Sequence, residues 1–364
     1  MSSLLPTRVT ITDDTMREGL QIESPDISID DKLRLLDALG ETGAKVISIG
    51  SFAHPKWTPA MANIEELAER FVPKPGVTYT AAIFNQKGFE RADRFYPKID
   101  VRSRGFAIAA EVSDSFARRN YNRSKAQQLA AGAGIVERAA AAGATSGTVV
   151  IGSPWGCNFE GPFTLEQQLE TIGVMVDTWH EGGFEVGKIS FSDAMGWNAP
   201  HRVRETILAI REMWPEIESF HLHLHNTRGA GIASYYEALQ LGVDSFDTSL
   251  GGMGGCPYCG NGRSAGHVPT EDFVDLCHEM GIETGYDLDK LIQAAWIAEE
   301  IVGHSLWGHV SKSGPRPREG ALYPIDMPFV ETLDEASHFL RGPDVYEGQI
   351  SPWGDGSALL AGGG

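Results

Sequence analysis

The 364-residue chain has little cysteine and little positive charge. Four cysteines in a chain of this length are too few for a disulfide framework, so we expect a reducing compartment. The 30 lysines and arginines are outnumbered by 49 aspartates and glutamates, which gives a formal net charge of −19. This acidic balance argues against a nucleic-acid partner and against a polybasic membrane anchor.

Long apolar runs are also missing from the sequence. No stretch approaches the roughly 18 consecutive apolar residues that a membrane-spanning helix needs. The opening Met-Ser-Ser-Leu-Leu-Pro-Thr-Arg contains no apolar segment of the length typical of a signal peptide. We therefore predict a cytoplasmic protein without a membrane partner.

What the sequence does contain is a regular alternation of short β-branched runs with helical patterns. The expected strands are 9–12, 45–49, 77–83, 105–109, 146–151, 188–192, 219–224 and 245–249. The expected helices are 27–39, 61–71, 88–95, 124–142, 164–180, 200–213, 229–241 and 270–280. Strict alternation predicts a parallel sheet, and this number of units over about 270 residues predicts an α/β TIM (β/α)8 barrel. A doubly wound sheet is the alternative fold.

The chain continues past the last barrel unit. We predict a barrel domain over residues 1–285 and a C-terminal helical and irregular extension over residues 286–364. The extension begins with a helix at 288–302, and its later part is rich in proline, glycine and charge. We expect the extreme end to be disordered.

In a TIM barrel the active site lies at the carboxyl ends of the strands. Polar residues concentrate at these positions, most clearly after the first strand, where they are Asp13, Asp14, Arg17, Glu18 and Gln21. Such convergence predicts an enzyme rather than a scaffold protein.

A His-x-His-x-His run in the seventh strand is the strongest chemical signal. Alternation places His221, His223 and His225 on one face of the strand. Two imidazoles two residues apart can share one metal ion, and His223 and His225 lie nearest the strand end. Glu18 is the natural carboxylate to complete a set of two histidines and one carboxylate. His221 lies deeper and is expected to be structural.

A glycine-rich segment, Gly-Gly-Met-Gly-Gly-Cys-Pro-Tyr-Cys-Gly-Asn-Gly at 251–262, follows the eighth strand. Glycines allow a loop to approach a ligand or to close over it. Cys256 is a candidate proton donor in this loop. The spacing of Cys256 and Cys259 also permits a redox pair or half of a zinc site.

Six segments together resemble the 3-hydroxy-3-methylglutaryl-CoA lyase family of the DRE-TIM metallolyases. They are Arg-Glu-Gly-Leu-Gln at 17–21, Ser-Phe-Ala-His-Pro-Lys-Trp-Thr-Pro at 51–59, Ile-Ser-Phe-Ser-Asp-Ala-Met-Gly at 189–196, His-Leu-His-Asn-Thr at 223–227, Gly-Gly-Cys-Pro-Tyr at 254–258 and Thr-Glu-Asp at 270–272. The resemblance implies a carbon–carbon lyase that cleaves a hydroxyacyl-CoA of this kind to acetyl-CoA and a keto acid.

The resemblance also implies roles for three residues. Arg17 would polarise the thioester carbonyl and stabilise the enolate. Cys256 would protonate the departing acetyl-CoA enolate. Asp193 would lie near the substrate hydroxyl as a base or an orienting group.

A divalent metal, Mg²⁺ or Mn²⁺ first, is implied as the cofactor, with Glu18, His223 and His225 as ligands. The family has an asparagine as its fourth ligand, where this chain has His267; Asn261 is the alternative. A set of three histidines and one carboxylate is softer, and leaves Zn²⁺ or Fe²⁺ open.

The chain departs from the family after the second strand, where the family has a glutamate that assists proton transfer and orients the arginine. This chain has Ser48 at that position. We expect substrate contacts from the side chains of Gln21, Ser48, Lys56, Trp57 and Asn261.

Three other functions compete with the lyase. A Claisen-type synthase would condense acetyl-CoA with a 2-keto acid, and its relatives share the Arg-Glu-Gly sequence. A metal-dependent aldolase would act on a free keto acid, and a non-catalytic barrel would only bind. The Cys256 loop favours the lyase. By analogy with similar enzymes we expect a homodimer.

Overall fold

The computed structural model describes residues 5–103, 105–259 and 265–317. Its main sheet has eight parallel strands in the order β3-β2-β1-β8-β7-β6-β5-β4. They are β1 Thr10–Asp13, β2 Val46–Ser51, β3 Thr78–Ala82, β4 Ala107–Glu111, β5 Ser146–Gly152, β6 Glu185–Asp193, β7 Ser219–Leu224 and β8 Ser245–Thr248. The sheet curls in the manner of a TIM barrel, so the predicted fold class is confirmed.

Helices alternate with these strands along the chain. They are α1 Ile29–Glu41, α2 Ile64–Arg70, α3 Gln86–Asp93, α4 Asp114–Tyr121, α5 Lys125–Ala130, α6 Gly132–Ala141, α7 Leu165–Glu181, α8 Pro200–Met213, α9 Gly231–Gln240, α10 Thr270–Glu279, α11 Leu288–Val302 and α12 Val310–Ser313. Within the described ranges, no helix is long and apolar enough to cross a membrane.

The core lies between the sheet and its helices. Ile47, Val149 and Phe191 are fully buried on the strands, and Leu35 and Leu39 of α1 are fully buried one helical turn apart. Apolar spacing of four residues gives α1 one buried face, which packs toward the sheet. Ser28 caps the same helix by accepting a hydrogen bond from the backbone N–H of Asp31 at 3.0 Å.

Two differences from the sequence prediction lie around β4. The single helix predicted at 124–142 is two helices, α5 and α6, that meet at Ala131. Gly132 lies close to α7 and β4, where an added Cβ would be 3.2 Å from Thr178 and 3.3 Å from Ile108. The helix α4 was not predicted, although Ser113 caps it with a hydrogen bond from Phe116 at 3.0 Å.

The extension is packed against the barrel where it begins. Leu291 and Ala298 of α11 are buried in the main core, and α11 lies against α1 and α10. The helix covers the residues predicted for it. The boundary at residue 285 stays a prediction, and the expected disordered end lies outside the described residues.

Close packing of β5 against α7 gives a test of the fold. A Cβ at Gly147 would lie 2.2 Å from the ring of Trp179, which is fully buried. Gly147→Ala should therefore lower the free energy of unfolding by about 1–3 kcal/mol, because overpacking forces the core apart.

Urea denaturation measures this change. The control is Gly134→Ala in α6, where the nearest atom to a new Cβ is the flexible Arg138 guanidinium at 3.7 Å. This variant should keep its stability or gain up to about 1 kcal/mol. Equal midpoints for Gly147→Ala and the wild type would contradict the packing described here.

Candidate active site and metal centre

A tight turn after β1 brings the first site residues to the barrel mouth. Residues Thr15–Gly19 form a short π-helical turn. The backbone N–H groups of Arg17, Glu18 and Gly19 converge on the carbonyl oxygen of Asp14 at 3.0, 2.8 and 3.1 Å. Turns of this kind are frequent at functional sites. The turn directs the Glu18 carboxylate toward His223 in β7 and His225 directly after it.

Four side chains form a compact group of possible metal ligands: Glu18, His223, His225 and His267, whose ligand atoms all lie within 4.8 Å of one another. The Nε2 atom of His225 is 2.8 Å from Glu18 Oε1. The Nε2 atoms of His223 and His267 are 3.5 and 3.7 Å from Glu18 Oε2. The structure thus brings together the four residues that the sequence proposed for the metal.

The other ring nitrogen of each histidine is already engaged. Nδ1 of His223 contacts Asp247 Oδ2 at 2.8 Å, and Nδ1 of His225 contacts the Ala265 carbonyl at 3.0 Å. Nδ1 of His267 is 3.4 Å from the Leu224 carbonyl. A partner of this kind fixes the ring of a metal-bound histidine.

Two ring nitrogens without hydrogen-bond partners support the fit of this group to a cation. Nε2 of His225 and Nε2 of His267 are buried and lack a hydrogen-bond partner of acceptable geometry within the described structure. Buried polar atoms are normally satisfied. Two imidazole lone pairs beside a carboxylate form a donor set that suits a divalent metal.

The charges around Glu18 favour its ionised form. Burial acts to raise its pKa, but the charges of Arg17 and His225 and a hydrogen bond from His223 hold the pKa well below its usual range. Burial acts to lower the pKa of His223, yet hydrogen bonds to Asp247 and Glu18 raise it to about 10. A bound cation would displace protons from the imidazoles.

Arg17 is held from two sides. Its guanidinium forms ion pairs with Glu18 and with Asp14, whose Oδ2 atom is 3.3 Å away. Asp14 is buried and also lies 3.5 Å from His267 Nε2. The sequence marked Asp14 as polar but gave it no role; in the structure it orients Arg17.

Asp193 ends β6 beside the metal group, where its carbonyl accepts a hydrogen bond from the His225 backbone at 3.2 Å. Its Oδ2 atom accepts two hydrogen bonds from Asn198, at 2.6 Å from the backbone and 2.9 Å from the side chain. Its Oδ1 atom is buried without a hydrogen-bond partner among the described residues. Burial raises the pKa of Asp193.

The loop that carries Cys256 lies directly against the β1 turn. Gly254 has φ +103°, and a Cβ there would be 2.6 Å from the carbonyl oxygen of Glu18, so the close approach requires glycine. The Cys256 and Cys259 side chains are hydrogen-bonded partners, and both are buried. Groups of possible metal ligands in the described structure contain no cysteine.

The base of the same loop is fixed by the extension and by α10. The N–H of Gly251 donates to both carboxylate oxygens of Glu271, at 3.1 and 3.0 Å. The carbonyl of Gly251 accepts a hydrogen bond from Trp307 at 2.8 Å. A Cβ at Gly251 would lie 2.5 Å from Leu306, and one at Gly308 would lie 2.0 Å from Glu271.

The predicted substrate contacts are spread over the barrel end. Gln21 is half-buried after the β1 turn, and Ser48 is buried in β2. Lys56 is exposed, and Trp57 is 74% exposed on the segment after β2. Asn261 lies outside the described residues. The roles of these five side chains stay predictions.

Sequence reasoning missed several residues near the site, among them Glu111 and Tyr121. Glu111 ends β4 and is buried, but the predicted strand stopped at residue 109. Tyr121 ends α4, and its phenol lies within electrostatic range of Glu111, Arg17 and Cys256. A correct end for β4 would have placed Glu111 among the polar residues at the strand ends.

The sequence profile of the HMGL-like family matches residues 8–297. The chain belongs to this family. It is 32% identical over 297 residues to a hydroxymethylglutaryl-CoA lyase of Bacillus subtilis, with 81% of this chain and 94% of the relative covered. It is also 32% identical to the (R)-citramalyl-CoA lyase of Chloroflexus aurantiacus over 84% of this chain and 95% of the relative.

A solved structure of an HMG-CoA lyase is also similar to this chain. The HMG-CoA lyase of Acinetobacter baumannii, determined with coenzyme A and 3-methylmalate, superimposes with a TM-score of 0.72 at 30% identity. The match covers 89% of this chain and 99% of the other. This HMGL-like protein is a carbon–carbon lyase, as the sequence predicted.

The ligand set leads to a test of metal binding. His267→Ala should weaken Mn²⁺ binding about tenfold or more, because even the supporting partners of metal ligands affect affinity by about 10–100-fold. Equilibrium dialysis with elemental analysis measures the effect. The control His304→Ala alters an exposed histidine that contacts Glu23. Unchanged Mn²⁺ binding in His267→Ala would exclude His267 as a ligand.

Proposed function

We propose that this enzyme cleaves a 3-hydroxy-3-methylglutaryl-CoA-like thioester to acetyl-CoA and a keto acid. The observation that carries the proposal is the meeting of Arg17, the Glu18–histidine group and the Cys256 loop at one end of the barrel. Each part has a distinct task in breaking a carbon–carbon bond next to a thioester.

Arg17 would bind the thioester carbonyl. Its guanidinium is fixed by Asp14 and Glu18 before any substrate arrives, so its donors are preorganised for the charge that develops on the enolate oxygen. A divalent cation held by Glu18, His223, His225 and His267 would supply Lewis acidity that acidifies the substrate hydroxyl.

Proton transfers complete the reaction. Loss of the 3-hydroxyl proton turns the C–O bond into a carbonyl, and the electron pair of the broken C2–C3 bond passes to the thioester enolate. Asp193 would orient the hydroxyl with its unpaired Oδ1 atom. Cys256 would donate its thiol proton to C2, and its loop would exclude water from the enolate.

We propose Mg²⁺ or Mn²⁺ as the metal. Three imidazoles beside one carboxylate favour Mn²⁺ of these two, because nitrogen ligands suit transition metals better than Mg²⁺. The physiological acyl-CoA partner belongs to the class of 3-hydroxy-3-carboxyalkyl thioesters. Citramalyl-CoA is the second candidate substrate, because a relative of equal identity is named for it. The homodimer and the cytoplasmic location stay predictions.

Acetyl-CoA release from the two candidate thioesters tests this function. Wild-type enzyme depleted of metal should be inactive and should recover when Mn²⁺ or Mg²⁺ is added. Cys256→Ala should lower kcat by about 10²–10⁴-fold, since a general acid contributes about that much. It should bind Mn²⁺ as the wild type does, because the thiol is not a ligand.

Cys277→Ala is the control, because Cys277 is a buried cysteine of α10 outside the site. Absence of cleavage of either thioester by the metal-loaded wild type would refute the proposed function. Full activity in Cys256→Ala would be consistent with the proposed cleavage but would show that Cys256 is not the proton donor.

A further inference from the structure

Glu111 adds a further carboxyl group at the carboxyl end of the barrel. Glu111 is the last residue of β4, Gly152 is the last residue of β5, and Asp193 is the last residue of β6. These are the carboxyl ends of three successive strands, at the same end of the barrel as the metal group. Glu111 is only 4% exposed.

The surroundings of Glu111 are shaped to admit its carboxyl group. A Cβ at Gly152 would lie 2.3 Å from Glu111 Cδ and Oε2 and 2.4 Å from Oε1. A side chain at position 152 would therefore occupy the space of the carboxyl group. The absence of a side chain at Gly152 therefore leaves room for the Glu111 carboxyl group.

Ser153 holds this carboxyl group at a conformational cost. Its Oγ donates a hydrogen bond to Glu111 Oε2 at 2.7 Å. Its backbone has φ +45°, in the left-handed region that serine rarely occupies. Such strain clusters at functional sites. The Ser153 hydrogen bond engages Oε2, which leaves Oε1 as the oxygen of Glu111 to meet a ligand.

The electrostatic setting suits exchange of a proton near neutral pH. Burial raises the pKa of Glu111 to about 7, the Ser153 hydrogen bond opposes the rise, and the negative charge of Asp193 adds to it. The titratable groups that face Glu111 are Asp193 from β6 and Tyr121 from α4. The ideal pKa of a general acid–base group lies close to the working pH.

We propose that Glu111 is a catalytic acid–base residue of this lyase, whose carboxylate accepts the proton of the substrate's 3-hydroxyl group. The inference rests on the proposed function. The inference also accounts for Ser48, which stands where the family has a glutamate that orients the arginine and assists proton transfer. In this chain Asp14 orients Arg17, and Glu111 takes part in proton transfer.

The proton balance closes over one turnover. The hydroxyl proton passes to the Glu111 carboxylate as the C2–C3 bond breaks and the keto acid forms. The thiol proton of Cys256 passes to C2 and gives acetyl-CoA. Glu111 then loses its proton and the Cys256 thiolate regains one, so the free enzyme returns to its starting state.

Glu111→Gln tests the role, because it keeps the size of the side chain and removes proton exchange. We expect kcat to fall about 100-fold or more while KM stays within about threefold. In the wild type, kcat should rise with pH through about 7, since the base must be ionised; this inflection should be absent in Glu111→Gln. Glu111→Asp, which retains a carboxyl group, should keep the inflection with an intermediate kcat.

Ser153→Ala gives a readout that a structural role would not move. It removes the hydrogen bond that lowers the pKa of Glu111, so the inflection should shift to higher pH. This variant also keeps the test valid if Glu111→Gln does not fold. Glu237→Gln, on the outer helix α9, is the carboxylate-to-amide control.

Wild-type kcat with an unchanged pH profile in Glu111→Gln would overturn the inference and leave the proposed function intact. A raised KM with unchanged kcat would also overturn it, because Glu111 would then only bind substrate. A wild type that cleaves neither thioester would refute the proposed function itself, whatever the variants do.

Discussion

The buried negative charge of Glu18 is the feature on which the rest of the site depends. A carboxylate removed from water is costly unless it is paired. Here Arg17 and the imidazoles surround it, and the charges of Arg17 and His223 are balanced in turn by Asp14 behind Arg17 and Asp247 behind His223. Alternating charges therefore run outward from Glu18, and they hold Arg17 and His223 in place.

The sequence contained enough information for the barrel and for the four side chains that lie together as possible metal ligands. Alternating strands and helices are local signals, and the two-residue period of His223 and His225 needs only a strand to put both rings on one face. His267 was found through the resemblance and not through periodicity. The helix α11 also lies where its apolar pattern placed it.

What the sequence could not give was the exact place where a strand stops. The end of β4 is set by its pairing with β5, where Glu111 lies opposite Gly152. That is a tertiary constraint, and a two-residue error excluded Glu111 from the polar residues considered. Asn198 and Asp247 were also not predicted as site residues. They contact Asp193 and His223, and neither residue belongs to a recognisable motif.

The contact between the Cys256 loop and the segment after α11 limits how this enzyme can be recombined with its relatives. Leu306 packs on Gly251, and Gly308 leaves the space that Glu271 occupies. A chimaera that joined this barrel to another tail would keep the sequence of the Cys256 loop and lose contacts that fix the base of that loop. The loop and residues 306–308 would therefore have to be exchanged together, although some fifty residues separate them along the chain.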